Sequence, residues 1–600
     1  MTRLLRVASA AWLIAWRAAR GLTLAQVAAA VLGAATPLAV AWQTKVVFDR
    51  LAAPGDATRL AWPITGLVAA TVLTAVPPQV LRYLRAEHGR RVGLVALERL
   101  YTAVNRLVGL GRFEDPQFAD RLRFARQAGA AGPGHTVAVG LNLLQQVLVT
   151  VGFAVSLVAV RPMLAAVVVL GALPAIGAEF ALSRRRAHAA NRVGPVERRE
   201  LFYGQLLSDV DAATEVRLFA AGAFLRDRML GERRAADRLL RSLDRRTMAV
   251  EVALTVLSTA VAGGCLAWTV WAAAAGRLSI GDVAMLVAAV AAVQGALLGM
   301  VRDVAGAHTQ LIMFDHYLTV VEAGSDLPVP AAPLPVTGLR EGIEFRDVWF
   351  RYREDLPWVL RGVSFTIPHG RSVALVGHNG AGKSTVVKLL CRFYDPGRGA
   401  ILWDGVDLRD LDPVALRARI AAVFQDFVSY ELSAAENIGI GDVDALPDRA
   451  RLEAAGRQAG VHEVLRELPH GYDTLLSRTF FAGDEFDGAE RGTILSGGQW
   501  QRVAVARGFL RGRRDLMILD EPSARLDAEA EHQIHQGLQQ MRGGGTTLLI
   551  SHRLGSIRDA DLILVLDAGA VAATGRHDDL VNGPGLYSEL FSLQAAGYHH

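Results

Sequence analysis

Long stretches of alanine, valine and leucine with few charges fill the chain up to about residue 305; beyond that point short apolar runs alternate with helical, charge-bearing ones. Runs near residues 22–47, 60–81, 137–160, 162–182, 249–275 and 281–302 have the length, about 20 residues, needed to cross ~30 Å of hydrocarbon. Six crossings leave both ends on one side of a membrane. Ahead of them, Arg3, Arg6, Arg17 and Arg20 surround a short apolar centre with Trp12 and Trp16. That segment, residues 1–20, is too short to span and reads as an interfacial helix.

The connections set the orientation. Residues 82–136 and 183–248 are long, helically patterned and arginine-rich, as at Arg184-Arg185-Arg186 and Arg233-Arg234, whereas the links around Pro54, Arg161 and Arg277 are short. Arginine excess marks the long loops and both termini as cytoplasmic. Structureless connections beyond about 15 residues are uncommon, so these loops are expected to carry the crossing helices into the cytosol. The expected organisation is an α-helical transmembrane bundle over 21–325, a linker over 326–340 around the proline-rich stretch Pro328–Pro335, and an α/β domain over 341–600. The location is the cell inner or plasma membrane, with the α/β domain cytoplasmic.

Composition supports the division. The chain is 52% apolar with a formal charge of +5, a mean hydropathy of +0.26 and a pI near 9.4. The basic excess clusters beside the apolar spans, which the positive-inside rule explains without nucleic acid. Cys265 and Cys391 are too few and too unlike in setting for a disulfide framework or a metal site. Lysine occurs only at Lys45, Lys383 and Lys388 among 64 basic residues, so Lys383 marks a place where lysine itself is required. Gln43, Lys45, Asn142, Gln145, Gln146, Glu179, Glu251 and Gln294 are polar positions within spans and candidates for a substrate pathway. Against that role stand snorkelling of Lys45, Glu179 and Glu251 at span ends and amides that bridge helices.

The chemistry lies in the second half. Ser372-Val373-Ala374-Leu375-Val376 is a buried strand by its apolar run, and Gly377-His378-Asn379-Gly380-Ala381-Gly382-Lys383-Ser384-Thr385 follows, opening a helix that runs to Phe393. Small residues let backbone N–H groups wrap phosphates at a helix N-terminus, Lys383 reaches the β/γ oxygens, and Ser384 can hold Mg²⁺. A second apolar strand, Leu516-Met517-Ile518-Leu519, ends in Asp520-Glu521. Asp520 is placed to organise the metal and Glu521 to polarise the attacking water.

On these motifs and on Leu495-Ser496-Gly497-Gly498-Gln499, the signature sequence of the family, the chain resembles an ABC exporter half-transporter over essentially its full length. The resemblance implies ATP and Mg²⁺ as cofactors, and implies that Ser496, Gly497, Gly498 and Gln499 face the phosphate loop of a second ATPase domain. One copy then holds two half-sites and no complete one. Residue by residue, Tyr352 matches the aromatic that stacks on adenine, Gln425 the residue near Mg²⁺, His552 the histidine contacting the γ-phosphate, and Asp527 the acid following the Glu521 strand. Glu490 resembles an acid that contacts the cytoplasmic loops. Phe113–Arg121 and Ser208–Thr214 resemble the short loop helices that dock on ATPase domains, with ordinary exposed loop helix as the alternative. Two departures stand out: Ala524 and Arg525 replace a small polar and small apolar pair, and residues 475–494 lengthen the spacing before the signature, with Phe480, Phe481, Asp484, Glu485 and Asp487 in the insert.

The resemblance implies ATP-driven export of a small molecule, drug or peptide by alternating access. The alternatives are a lipid or lipid-linked precursor flippase and an ATP-gated regulatory membrane protein, the last disfavoured by an intact Glu521 and His552. Gln499-Trp500-Gln501-Arg502 and the preceding insert resemble exporters of actinobacterial natural-product and peptide pathways. With no peptidase domain ahead of the first span, no leader cleavage is expected. Intact motifs favour a homodimer over a heterodimer, in contact with membrane lipids.

Overall fold

The computed structural model describes residues 2–52, 60–160, 192–477, 481–482, 490–512, 514–522, 545–551 and 557–598, with isolated positions in the intervening stretches. Its contacts divide the chain into two compact units, Met1–Asn105 with Gln117–Ala323, and Arg106–Pro116 with Gly324–His600.

The first unit is helical: α1 (Thr2–Ala18), α2 (Arg20–Ala52), α3 (Ala61–Asn105), α4 (Pro116–Val160), α5 (Val210–Leu218), α6 (Gly222–Ala274) and α7 (Ile280–Val321), with residues 192–208 also helical. Five of the described helices are long and apolar enough to cross a membrane. The expected span at 162–182, with Glu179, lies outside the described residues. As the loop pattern implied, α3 and α6 run far past their apolar portions. Ser279 starts α7 with a capping box closed by Asp282, which satisfies two N-terminal backbone donors.

Several charged groups in this unit find partners across helices; an ion in a low-dielectric interior is stable only with a partner. Lys45 on α2 meets Asp282 of α7 and lies 3.5 Å from Asp49, whose carboxylate also accepts the Gly281 N–H. Arg85 on α3 donates to Asn142 of α4, and Gln146 donates to Asp303 of α7 at 3.0 Å. Asn142 and Gln146 thus make the helix-bridging contacts of the alternative reading, whereas Lys45, for which the alternative is snorkelling, pairs with Asp282 of another helix. On α1, Arg3 and Arg6 pair with Asp315 and Glu322 of α7.

In the second unit, β1 (Gly342–Phe350), β2 (Leu360–Pro368), β4 (Arg398–Trp403) and β5 (Val406–Asp407) form an antiparallel sheet in the order β2-β1-β4-β5. The other sheet runs β12-β11-β3-β10-β9-β6, built from β3 (Ser372–Gly377), β6 (Ile420–Val423), β9 (Leu516–Asp520), β10 (Thr546–Ile550), β11 (Leu562–Asp567) and β12 (Ala570–Gly575). Its strands pair in parallel except for the β11–β12 hairpin at one edge. β3, β9 and β10 are buried at every residue, which is why they read as continuous apolar runs rather than alternating ones. A separate two-residue ladder joins β7 (Phe481–Ala482) to β8 (Glu490–Arg491); most of the insert between them is outside the described residues.

Parallel pairing puts the C-terminal ends of β3, β10 and β9 at one edge of the sheet, where ligands of open α/β folds gather. The loop after β3 and the acids after β9 thus share an edge, with Ile550 of β10 in register with Asp520 on one side and Leu375 on the other.

Candidate functional site

The phosphate-type loop is built by backbone necessity. Gly382, the residue before α8 (Lys383–Leu390), has φ +104, and a Cβ there would strike the Leu360 side chain; at Gly377 it would run into the Leu566 carbonyl. Only glycine meets both constraints. Lys383 is 7% exposed and its Nζ donates to the Gly377 carbonyl at 2.7 Å and the His378 carbonyl at 3.0 Å. The ammonium is thus held within its own loop by two carbonyls. Burial pulls its pKa down, while Glu521 and Asp520 work in the opposite direction.

Asn379, Gly380, Gly382, Lys383, Ser384, Thr385, Gln425, Asp520 and Glu521 line one cavity of about 470 Å³. Burial, and secondarily the adjacent Glu521 charge, push the Asp520 carboxyl up to about 6, with the Ser384 hydroxyl and Lys383 opposing. Glu521 stands at φ +51, a left-handed conformation that costs a non-glycine residue on the order of 1–3 kcal/mol and concentrates at functional sites. Its backbone is held there: its N–H donates to the Ile550 carbonyl at 2.9 Å, and its carbonyl accepts from Gln501 Nε2 at 3.2 Å.

Tyr352 joins the site from the antiparallel-sheet side, its hydroxyl 3.1 Å from Thr385 Oγ1. Gly377 is not among the lining residues; its carbonyl accepts from Lys383. Ser496, Gly497, Gly498 and Gln499 do not line the cavity. They open α9 (Gly497–Leu510), where Ser496 and Gln499 satisfy each other's backbone N–H groups in a capping box. His552 and Asp527 lie outside the described residues, as do Ala524 and Arg525; of Glu490 only the backbone, in β8, is described.

Several contributing residues escaped sequence reading. Val359 and Ile550 line the cavity. Arg507 on α9 donates to the Val428 and Asn437 carbonyls and to Asn437 Oδ1, each at 2.7 Å, tying the signature helix to the segment after Gln425; burial lowers its pKa to about 10. The segment Arg106–Pro116 belongs to this unit: Leu110 N–H donates to the Phe393 carbonyl, Arg417 donates to the Val108 carbonyl, Asp326 accepts from the Val108 and Gly109 N–H groups, and Glu114 pairs with Lys388 at 3.0 Å. The docking helix expected at Phe113–Arg121 is instead a turn through residue 114, followed by α4 from Pro116. In the other long loop, a break at Asp209 separates the helical residues 192–208 from α5, which overlaps the expected Ser208–Thr214.

Among the described residues no group of three or more His, Cys, Asp or Glu side chains could hold a metal ion alone. Ser384, Gln425 and Asp520 offer a hydroxyl, an amide oxygen and a carboxylate on one cavity wall. Hard oxygen donors in that number suit Mg²⁺ when phosphate oxygens complete its shell.

Comparison with known proteins agrees with this construction. Residues 360–524 match the family described as ABC transporter. The chain is 36% identical over 351 residues to an ATM1-type heavy metal exporter of Novosphingobium aromaticivorans, covering 58% of this chain and 54% of that one. It is 43% identical over 263 residues to an ATP-dependent lipid A-core flippase of Alkalilimnicola ehrlichii, covering 44% and 42%. The chain thus spans about half or less of the length of these curated relatives. A solved structure of a bacterial Atm1-family ABC exporter with ATP bound superposes with a TM-score of 0.82 at 25% identity, over 96% of this chain and 98% of that one.

Proposed function

This chain belongs to the ABC transporters, as an exporter-type half-transporter with apolar helices fused to an ATPase domain, and on that premise we propose that two copies pair to export a small molecule, drug or peptide, driven by ATP hydrolysis. The observation that carries the proposal is the cavity at the sheet edge. It gathers the phosphate loop, Gln425, Asp520 and Glu521 but no signature residue, so a second chain is needed to supply Ser496, Gly497 and Gly498 to the γ-phosphate.

In this reading Tyr352 stacks on adenine, and the loop N–H groups from Asn379 to Thr385 cradle the phosphates. Lys383 leaves the Gly377 and His378 carbonyls for the β/γ oxygens. Ser384, Gln425 and Asp520 hold Mg²⁺, which when bound offsets the charge on those oxygens. Glu521 takes the proton from the attacking water, His552 contacts the γ-phosphate, and Asp527 acts between the paired sites. Closure of the two ATPase domains on ATP, passed to the helices through the loop segments, switches the bundle from inward to outward access. The bundle sits in the cytoplasmic membrane with the ATPase domains in the cytosol.

A lipid or lipid-linked cargo is the second reading. A cavity of about 540 Å³ in the helical unit favours it, with Pro37, Pro77, Pro78 and Leu81 on its walls and Arg82, Arg85, Asn142 and Gln145 among its polar groups, a combination suited to an anionic amphiphile.

The test is ATP hydrolysis by the chain alone, purified and reconstituted in lipid, beside Glu521→Gln. Loss of a general base is worth about 10²- to 10⁴-fold, so kcat should fall at least about 100-fold in the variant while ATP still binds. Undiminished turnover would remove Glu521 from its role. Vesicle assays with labelled phospholipid and with soluble amphiphiles then separate the two cargo classes.

A further inference from the structure

We infer that Lys388 is a positioning residue that links the adenine-stacking ring of Tyr352 to the loop segment Arg106–Pro116 through Glu114, so that ATP affinity depends on the docking of that segment. The inference rests on the reading that Tyr352 stacks on adenine.

Lys388 lies in the first turns after the phosphate loop, five residues past Lys383, and is one of only three lysines in a chain that otherwise uses arginine. Its Nζ is 3.0 Å from Glu114 Oε1 and 5.0 Å from the centroid of the Tyr352 ring, with the Tyr394 ring 5.9 Å away. Tyr394 packs edge-on against Tyr352 at 5.3 Å, and Phe350 does so at 5.0 Å. The Tyr352 ring therefore has its edge contacts supplied by aromatics, its hydroxyl anchored on Thr385, and a cation set over its face. A compact ammonium on a flexible stem can serve a carboxylate and a ring face together, whereas a planar guanidinium favours a bidentate partner.

Burial works to lower the Lys388 pKa, but the Glu114 carboxylate and Tyr352 together hold it above the ordinary value, and the Tyr394 hydroxyl and Lys388 in turn keep the Glu114 carboxyl low against its own burial. The charges of the pair persist across the working pH range. Glu114 is also fixed on the loop side, since its N–H donates to the Leu110 carbonyl and Leu110 itself is bonded to Phe393. Displacing the loop segment would withdraw Glu114, free Lys388 and loosen the Tyr352 ring. The chain of contacts reaches the phosphate loop only at the Thr385 hydroxyl and includes neither Lys383 nor Glu521, so the effect belongs in nucleotide affinity and not in the chemical step.

The test measures KM and kcat for ATP hydrolysis on the reconstituted full chain for wild type, Tyr352→Ala, Lys388→Met, Lys388→Arg, Glu114→Gln and the double variant Tyr352→Ala/Lys388→Met. Lys388→Met and Glu114→Gln are each expected to raise KM about two- to fivefold, the size of a cation–π contact at a partly exposed site, with kcat changed by less than about twofold. Lys388→Arg should restore part of the affinity, and Lys388→Met should add nothing once Tyr352 is alanine. If Tyr352→Ala raises KM while Lys388→Met and Glu114→Gln leave it at the wild-type value, the link is overturned and the stacking role stands. An equal KM increase from Lys388→Met with and without the Tyr352 ring also overturns it. If Tyr352→Ala itself leaves KM unchanged, the stacking reading fails and the inference with it. Should Lys388→Met not fold, Lys388→Arg and Glu114→Gln decide.

Discussion

Gln425 Nε2 donates a hydrogen bond to the Glu521 carboxylate at 3.1 Å, joining two residues 96 positions apart. An amide carries both a donor and an acceptor, so with its nitrogen on Glu521 the Gln425 oxygen remains available to a metal on the same wall.

Gln425→Glu replaces that donor with a like charge beside Glu521. The hydrogen bond becomes a repulsion between two carboxylates, so kcat at saturating Mg²⁺ should fall. Gln425→Ala, which only removes the donor and the metal-facing oxygen, should raise the Mg²⁺ concentration for half-maximal hydrolysis by about 10- to 100-fold. An unchanged kcat in Gln425→Glu would dissociate Gln425 from the role proposed for Glu521.

Asp520 is 5% exposed and its carboxyl is raised from 3.8 to about 6. A folded pKa above the unfolded one means that the native state binds the extra proton between about pH 4 and 6, so the nucleotide-free chain loses stability as pH rises through that window. Asp520→Asn removes the penalty. Without nucleotide its melting temperature at neutral pH should exceed that of wild type by roughly 5 °C, and the gap should close below about pH 4. In the same variant the extra thermal stabilisation by Mg²⁺ with ATP should disappear. A lower melting temperature for Asp520→Asn at neutral pH would contradict the burial argument.

Arg392 is fully buried at 0% exposure and φ +48. Its guanidinium donates to the Leu411 carbonyl, the Pro328 carbonyl and Asp395. Removing one partner of a buried pair leaves the other charge unpaired, at a cost of about 3–5 kcal/mol. Arg392→Met should therefore lower the unfolding midpoint of the ATPase unit strongly, and Arg392→Met/Asp395→Leu should recover part of the loss. Calorimetry of the full chain distinguishes this from a mild surface effect of under about 1 kcal/mol.

Lys45→Met leaves Asp282 and Asp49 without their shared cation between α2 and α7. The helical unit should unfold at lower temperature in detergent, and Asp282→Asn, which drops the charge but keeps an oxygen for the Ser279 N–H of the capping box, added to Lys45→Met should restore stability relative to the single variant. Additive destabilisation would show that the two groups act separately.

What the sequence determined by itself was whatever neighbouring residues settle among themselves. The spans are contiguous apolar runs, and the long loops show helical periodicity that continues into α3 and α6. The phosphate loop is legible because its glycines are local backbone requirements: Gly377 and Gly382 hold conformations and clearances that other residues refuse, and the strand before them and the helix after them follow in one unbroken stretch. Tertiary structure decided what depends on distant groups meeting. Parallel pairing of β3, β10, β9 and β6 brought Lys383, Gln425, Asp520 and Glu521 to one cavity, and long-range folding closed the pairs Glu114–Lys388 and Lys45–Asp282. Nothing local marks Arg392 as buried or Glu521 as left-handed. An arginine reads as surface and a glutamate as helix-forming until the surrounding chain supplies the carbonyls and hydrogen bonds that hold them otherwise. At 111–114 the local residues already interrupt the helical pattern, through Gly109, Gly111 and Pro116, while only the tertiary structure decided that Leu110 meets Phe393 and Glu114 meets Lys388.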